Sequence, residues 1–147
     1  MQKARKKIVI TSGYWNPVHV GHINLFKGAK EIGDVLVVIM NNDEQVELKG
    51  GAIFMPAKER IEIIKAIKYV DEVFLSVDSD SSVCKSLKII AKMHPGCELF
   101  FANGGDRHHG NIPETGVCEE LNIRVVDGVG GEKVQSSSWM LNKIKNS

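Results

Sequence analysis

The chain has no excess of charge. Its 147 residues carry 19 Lys+Arg against 18 Asp+Glu, a formal net charge of +1. Proteins that grip duplex nucleic acid by neutralising phosphates usually carry a clear basic surplus, so the balance argues against a nucleic-acid coat. Nor is this a disordered chain, which would pair low hydrophobicity with a large charge of one sign. The 43% hydrophobic and 25% charged residues form an ordinary globular mixture. Cysteine is scarce: Cys84, Cys97 and Cys118 are odd in number and form no CxxC pair. That argues against a disulfide framework or a zinc ribbon, and for a reducing, cytoplasmic setting. Long apolar runs are missing as well. The longest, Val35 to Met40, suits one buried strand and is far too short to span a bilayer. Ile8 to Ile10, behind the basic residues Lys3, Arg5, Lys6 and Lys7, is too short for a signal-peptide core. With no internal repeat and no linker, one domain over residues 1–147 is expected.

What the chain does contain is a strict alternation of strand and helix patterns. Lys7 to Thr11 is β-branched and apolar, a buried strand ended by Ser12-Gly13. Pro17 to Gly21 opens a helix running to about Ile32, with Leu25, Ala29 and Ile32 on one face. Gly33 is a good C-terminal stop for it. Val35 to Met40 is the second strand. Asn41 to Met55 is polar, carries Gly50-Gly51, and reads as a mobile loop. Pro56 fits the first turn of a helix whose apolar positions are Ile63, Ala66, Ile67 and Val70. Glu72 to Ser76 is a third strand. Ser81-Ser82 suits the cap of a helix to about Met93, which His94-Pro95-Gly96 breaks. Cys97 to Ala102 is a fourth strand, Pro113 to Leu121 a short helix, and Ile123 to Val126 a fifth strand. A glycine-rich loop (Gly128, Gly130, Gly131) then leads to Ser136-Ser137-Ser138 and a last helix to about Lys145. The order predicts an α/β fold: a doubly wound, five-stranded parallel sheet with helices on both faces. Ligands of such sheets sit beyond the carboxyl ends of the strands, where strand order reverses.

One segment carries chemistry at that edge: Gly13-Tyr14-Trp15-Asn16-Pro17-Val18-His19-Val20-Gly21-His22. His19 and His22, three apart at a helix start, can share a face, and Gly21 leaves the backbone open to close approach. A helix N-terminus offers N–H groups and positive dipole to an anion. Two imidazoles beside it suit a phosphate gaining charge in a transition state. For an arbitrary pair the plainer alternative is that one histidine caps or packs while the other is exposed. A zincin reading lacks the Glu that its HExxH pattern requires.

These residues resemble the HxGH signature of the nucleotidyltransferase superfamily of cytidylyltransferase type. The resemblance continues along nearly the whole chain. Gly33-Asp34 with Leu36-Val37-Val38 resembles the family's second strand, and Asn42-Asp43-Glu44 with Leu48-Lys49-Gly50 its lysine-bearing loop. Glu59-Arg60 resembles its acidic-or-His/Arg pair, and Tyr69-Val70-Asp71-Glu72-Val73 the matching segment of glycerol-3-phosphate cytidylyltransferases. Gly104-Gly105-Asp106 is similar to the GGD of heptose-phosphate adenylyltransferases, and Ser136-Ser137-Ser138 stands where the family has Ser-Thr-Thr. Asn16 replaces the more common Asp. Gly130 to Gln135 replaces the Arg-Thr-x-Gly of the cytidylyltransferases, and Arg107-His108-His109 matches no one subfamily.

The resemblance implies a Rossmann-like α/β fold. It also implies transfer of a nucleotidyl group from CTP or ATP to a phosphorylated sugar or polyol, with release of pyrophosphate. A flavin-nucleotide-forming adenylyltransferase and a non-catalytic nucleotide-binding module are the alternatives. It assigns catalysis to His19, His22 and Lys49, with the two histidines on the α/β phosphates and Lys49 neutralising the acceptor phosphate or the α-phosphate. It assigns nucleotide binding to Gly13, Tyr14, Trp15, Asn16, Gly21, Arg60, Gly105, Asp106, Gln135, Ser136, Ser137 and Ser138. Mg²⁺ would bridge the phosphates, whose oxygens supply most of its ligands. A homodimer is implied by the relatives; no nucleic-acid or membrane partner is expected. Read from the residues alone, several positions keep two meanings. Lys49 is a solvated loop lysine or a phosphate clamp, and Arg60 pairs with a helix acid or meets an anion. Trp15 is core or lines the site, and Asp106 forms a turn or contacts ribose or metal. Asp71 reads as structural, and His108-His109 as a solvated pair.

Overall fold

The structure, a computed structural model, describes residues 5–105 and 112–131. Its elements follow the expected alternation as far as β5, with one addition; the expected last helix, to about Lys145, lies outside the described residues. They are β1 (Lys7–Gly13), α1 (Val20–Ile32), β2 (Val35–Met40), α2 (Asp43–Leu48), α3 (Ala57–Lys65), β3 (Glu72–Leu75), α4 (Cys84–Met93), β4 (Glu98–Ala102), α5 (Thr115–Glu120) and β5 (Arg124–Val126). The five strands are all parallel, in the order β3-β2-β1-β4-β5. The chain builds outward from β1 to β3, then crosses back to lay β4 on the other side of β1. Strand order therefore reverses between β1 and β4, and a cleft at their carboxyl ends follows from the topology.

Side-chain alternation along the strands makes two cores. Ile8, Ile10, Val37, Ile39, Leu99 and Phe101 face one way, onto Leu87 and Ile90 of α4 and Cys118 of α5. Val9, Leu36, Val38, Met40, Phe100 and Ala102 face the other way, onto Phe26 and Ala29 of α1 and Ile64 of α3. Both faces of β2 are covered, which is why Val35 to Met40 is uninterrupted in its hydrophobicity. Cys118 is fully buried, and burial lifts its thiol to about 12. Among the described residues no helix is long and apolar enough to cross a membrane.

The expected mobile loop after β2 is instead partly helical. Asn42 caps α2 through a reciprocal pair: its Oδ1 accepts the N–H of Gln45 at 2.9 Å, and Gln45 Oε1 accepts the N–H of Asn42 at 3.0 Å. Two orphan donors of the first turn are thereby satisfied. The same two amides reach across the sheet edge. Asn42 Nδ2 donates to the carbonyls of Ser76 and Asp78, and Gln45 Nε2 to those of Asp80 and Ser82. The β3–α4 connection is thus pinned to α2.

Three further expectations are refined by the structure. Ser82 contributes only a long contact to the start of α4, its Oγ accepting the Cys84 N–H at 3.4 Å, and Asp78 supplies the main cap. The buried carboxylate of Asp78 accepts from the N–H groups of Lys85 and Ser86 and from Ser86 Oγ, at 2.8, 3.0 and 2.6 Å. α3 ends at Lys65 rather than near Val70, and its inward residues are Arg60 and Ile64, leaving Ile63 exposed. Gly33 ends α1, but with extended backbone, φ −146°. A Cβ there would lie 2.8 Å from Val9 Cγ2 and 2.9 Å from the Lys7 carbonyl oxygen, so close approach to β1 is what requires glycine.

Candidate active site

The carboxyl ends of β1, β2 and β4 deliver the motif residues to one edge of the sheet. His19 has extended backbone (φ −140°, ψ 178°) and is the N-cap of α1. Its Nδ1 accepts the N–H of Gly21 at 3.1 Å. In return, His22 Nδ1 accepts the N–H of His19 at 3.2 Å. This is a capping box made of two imidazoles. A nitrogen that accepts a hydrogen bond carries no hydrogen, so in each neutral ring the proton resides on Nε2. The rings stack with centroids 3.7 Å apart and planes 25° apart. Burial, reinforced by the neighbouring His19, pushes His22 down to about 3. His22 is therefore uncharged near neutral pH and acts as a hydrogen-bond donor rather than a cation.

Trp15 forms the wall behind the pair. It is 3% exposed, its Nε1 donates to the Ile39 carbonyl at 3.1 Å, and its ring meets His22 edge-on at 4.8 Å. Of the two readings of Trp15, core is the one realised. Gly13 is explained by the same ring, because a Cβ there would stand 2.7 Å from Trp15 Cζ2. Gly21 supplies the N–H that holds His19.

Lys49 closes the C-terminal end of α2, and Gly50 follows in the left-handed region at φ +83°. Lys49 Nζ lies 4.3 Å from the centre of the Tyr14 ring, a cation–π contact that places the lysine beside the histidine-bearing segment. Tyr14 thus links Lys49 to the segment that carries His19 and His22.

Arg60 does not face a ligand. It is 0% exposed and spends its donors inside the fold. Nε donates to the Met55 carbonyl at 2.9 Å, and one terminal nitrogen donates to the carbonyls of Tyr14 and Asn41 at 2.6 and 2.8 Å. The other terminal nitrogen pairs with Asp43 Oδ1 at 2.6 Å. A group buried this fully cannot grip the β/γ phosphates; it fixes the backbone of Tyr14 and the ends of β2 and of the following loop. Asn16 is likewise a clamp, 7% exposed. Its Nδ2 donates to the Ala52 carbonyl at 2.7 Å, while its Oδ1 accepts from the N–H groups of Phe54 and Met55 at 2.9 and 3.1 Å. An Asp here would accept the two N–H groups and leave the Ala52 carbonyl without its donor, which gives the departure from the family pattern a physical reason. Asp71 is structural: it accepts from Lys30 Nζ at 2.6 Å and from the Leu36 N–H at 2.8 Å.

On the other side of β1, Gly104 and Gly105 follow β4, and Asn103 Nδ2 donates to Asp127 Oδ1 at 3.1 Å. The glycine-rich loop after β5 folds onto α1. A Cβ on Gly130 (φ +88°) would meet the Leu25 backbone nitrogen at 2.8 Å. Asp106, Arg107, His108, His109, Gln135, Ser136, Ser137 and Ser138 lie outside the described residues. Among the described residues no group of three His, Cys, Asp or Glu side chains is disposed to hold a metal. Sequence reasoning missed Asn42, Gln45, Asp43 and Asp78. The Asn-x-x-Gln spacing at 42–45 was a readable capping signal; the Asp43 and Asp78 contacts depend on tertiary proximity.

A parallel sheet whose order reverses at a helix start capped by imidazoles defines a Rossmann-like α/β domain of the nucleotidyltransferase kind. The chain belongs to the cytidylyltransferase-like family, whose pattern it matches over residues 10–126. It is 48% identical over 77 residues to the FAD synthase of Thermococcus kodakarensis, covering 51% of this chain and 52% of the relative. To the FAD synthase of Thermococcus sibiricus it is 42% identical over 122 residues, 82% of this chain and 76% of the relative. To the bifunctional protein HldE of Desulfatibacillum aliphaticivorans it is 33% identical over 148 residues, 99% of this chain and 28% of that protein. The chain thus spans about half the length of the first of these relatives and just over a quarter of HldE. In fold it is similar to a lipopolysaccharide core biosynthesis protein from Thermoplasma volcanium, with a TM-score of 0.68 at 21% identity over 83% of this chain and 95% of that one.

Proposed function

We propose that this chain transfers a nucleotidyl group from an NTP to a phosphorylated small molecule. The acceptor's phosphate oxygen attacks the α-phosphorus, the bond from that phosphorus to the bridging oxygen breaks, and pyrophosphate leaves. The nucleophile is already an anion, so no base and no covalent enzyme intermediate are required. The work left to the protein is positioning and charge stabilisation.

The observation that carries this reading is the double-imidazole cap. Each Nδ1 is committed to a backbone N–H, so each ring's donor is Nε2–H, held by the helix end in one orientation and uncharged in His22. Such donors meet charge building on the α/β bridge and the leaving pyrophosphate. Lys49, held against Tyr14, neutralises the acceptor phosphate or the α-phosphate. A lysine that comes over the phosphates once they bind would complete the site. Gly105, which follows β4, is proposed to hold the nucleotide together with Asp106, Gln135 and Ser136 to Ser138, which lie outside the described residues. Mg²⁺ would supply countercharge to the triphosphate, with most of its ligands expected from phosphate oxygens.

ATP is the favoured donor, because relatives matched along the chain are FAD synthases, whose named product contains an adenylyl group. For the acceptor, the resemblance of Leu48-Lys49-Gly50 and Gly104-Gly105-Asp106 to sugar-phosphate adenylyltransferases supports a phosphorylated sugar or polyol. The identity to FAD synthases, 42% and 48%, supports flavin mononucleotide.

The test is pyrophosphate release with each NTP, Mg²⁺ and a panel of phosphorylated acceptors. His19→Asn is the informative variant. Asn is among the best N-caps and replaces the Nδ1 acceptor, yet it lacks the Nε2 donor. We expect the melting temperature to hold and turnover to fall about 10²–10³-fold. Near-wild-type release by His19→Asn sinks the assignment. Nucleotide binding without release for every acceptor would favour the non-catalytic module.

A further inference from the structure

The loop between Lys49 and α3 is built in a way that the transfer chemistry alone does not require. Surface loops are normally polar, yet this one presents Ile53 and Phe54 to solvent, 36% and 46% exposed. They are not loosely held. Asn16 bonds the Ala52 carbonyl and the N–H groups of Phe54 and Met55, and Arg60 bonds the Met55 carbonyl. Two largely buried polar side chains therefore fix the backbone that displays an exposed aromatic ring. Fixing a loop costs conformational entropy, and an exposed Phe forgoes the stabilisation that burial would bring. Placement gives the arrangement a purpose. Asn16 is three residues before His19 in the same segment, and Arg60 also bonds the carbonyl of Tyr14, whose ring carries Lys49. The loop belongs to the β2 side of β1, away from the Gly104–Gly105 and Gly128–Gly131 segments that follow β4 and β5. The apolar platform thus lies on the Lys49 side of β1, beside the lysine proposed to neutralise the acceptor phosphate or the α-phosphate.

We propose that Phe54 is a specificity-determining residue: its ring stacks the planar ring system of an aromatic phosphomonoester acceptor, represented by the isoalloxazine of flavin mononucleotide. The aliphatic side chain of Ile53 extends the platform. This rests on the nucleotidyltransferase reading and selects its aromatic acceptor over a sugar phosphate, which offers no π-face. Stacking of a planar heterocycle on an aromatic side chain corresponds to roughly 5- to 150-fold in affinity.

The experiment uses the full chain with flavin mononucleotide as probe. Flavin fluorescence quenching reads binding, and FAD formation from ATP and flavin mononucleotide reads turnover. Phe54→Ala should weaken flavin binding at least about fivefold, raise KM for flavin mononucleotide correspondingly and leave KM for ATP within twofold. Phe54→Trp should restore binding, which a merely structural residue would not do. If wild type forms FAD and Phe54→Ala binds and uses flavin mononucleotide as well as wild type, the role of Phe54 is overturned while the transferase reading stands. A rise in KM for ATP alone assigns Phe54 to the nucleobase and also overturns it. Pyrophosphate release with sugar phosphates only, and none with flavin mononucleotide, overturns the aromatic acceptor and keeps the transferase. No release with any acceptor removes the reading on which the proposal rests.

Discussion

Replacing Arg60 with Met separates a positioning arginine from a phosphate-binding one. The substitution keeps the aliphatic bulk and deletes the guanidinium. Four bonds are lost: those to the carbonyls of Met55, Tyr14 and Asn41, and the ion pair with Asp43 at 2.6 Å. The Asp43 side chain is 38% exposed and regains water, so its share of the penalty is modest. The Asn41 carbonyl is less fortunate, because its bond to Arg60 is buried. An unsatisfied buried group costs about 1–3 kcal/mol. With the Tyr14 and Met55 carbonyls also losing their donor, the summed loss is about 3–5 kcal/mol. Against a total stability of about 5–15 kcal/mol, the variant should fold but unfold early. For a chain of this size that is roughly 6–20 °C in Tm. Urea unfolding followed by the fluorescence of buried Trp15 reads the free-energy change, and pyrophosphate release reads the site. Arg60→Lys keeps the charge but not the fork, and should recover only part of the loss. A variant whose unfolding midpoint is unchanged while release collapses would show a guanidinium acting on substrate directly, and would refute the positioning argument.

Acid should destabilise the fold through His22. Its folded pKa lies near 3, below the unfolded value of 6.5, so between those values unfolding takes up a proton. The stability contribution is fully present above about pH 6.5 and is lost as pH falls towards 3, at about 1.4 kcal/mol per pH unit. Urea midpoints between pH 7 and 4.5 should slope accordingly, and His22→Gln, which can keep the cap, should flatten the slope by one proton's worth; an unchanged slope contradicts the assignment. Gly130→Ala combines a left-handed backbone with a Cβ 2.8 Å from the Leu25 nitrogen. It should cost about 2–4 kcal/mol by urea unfolding. Gly116→Ala in α5, where a Cβ meets nothing within 4 Å, should instead gain about 0.5–1 kcal/mol, and equal effects at the two sites would refute the steric argument. Asp78→Ala strips the cap of α4 and should cost about 2–4 kcal/mol, with Asp78→Asn milder; hydrogen exchange at Lys85 and Ser86 should rise first.

The inner strands β1, β2 and β4 were legible because both their faces are buried, so apolar runs stood out against glycine and polar breaks; the half-buried edge strands β3 and β5 were legible from the breaks that bound them. The histidine pair was legible from its spacing at a helix start. Its mutual capping was not, because histidine is outside the usual set of cap residues and its two nitrogens can serve in either role. Arg60 and Asn16 were legible as positions but not as roles. A buried guanidinium and an exposed one are the same letter, and only the carbonyls of Tyr14, Asn41 and Met55 converging on one point decide between them. α2 was hidden by polar composition: most of its residues are hydrophilic, and its stability comes from Asn42 and Gln45 rather than from an apolar stripe. Ser81-Ser82 looked a better cap than Asp78 because local sequence cannot show a carboxylate folding back from six residues upstream of the helix.

The stretch from Ala52 to Met55 is gripped by Asn16 and by Arg60, and each of these bonds is made to its backbone. Its side chains are therefore exchangeable without rewiring the imidazole cap or the lysine. The loop behaves as a cassette: its backbone belongs to the scaffold, and its outward residues can be rewritten. Within one fold this lets the choice of acceptor diverge while the transfer machinery stays fixed. It also gives protein engineers a two-residue window, positions 53 and 54, through which to graft a new acceptor preference.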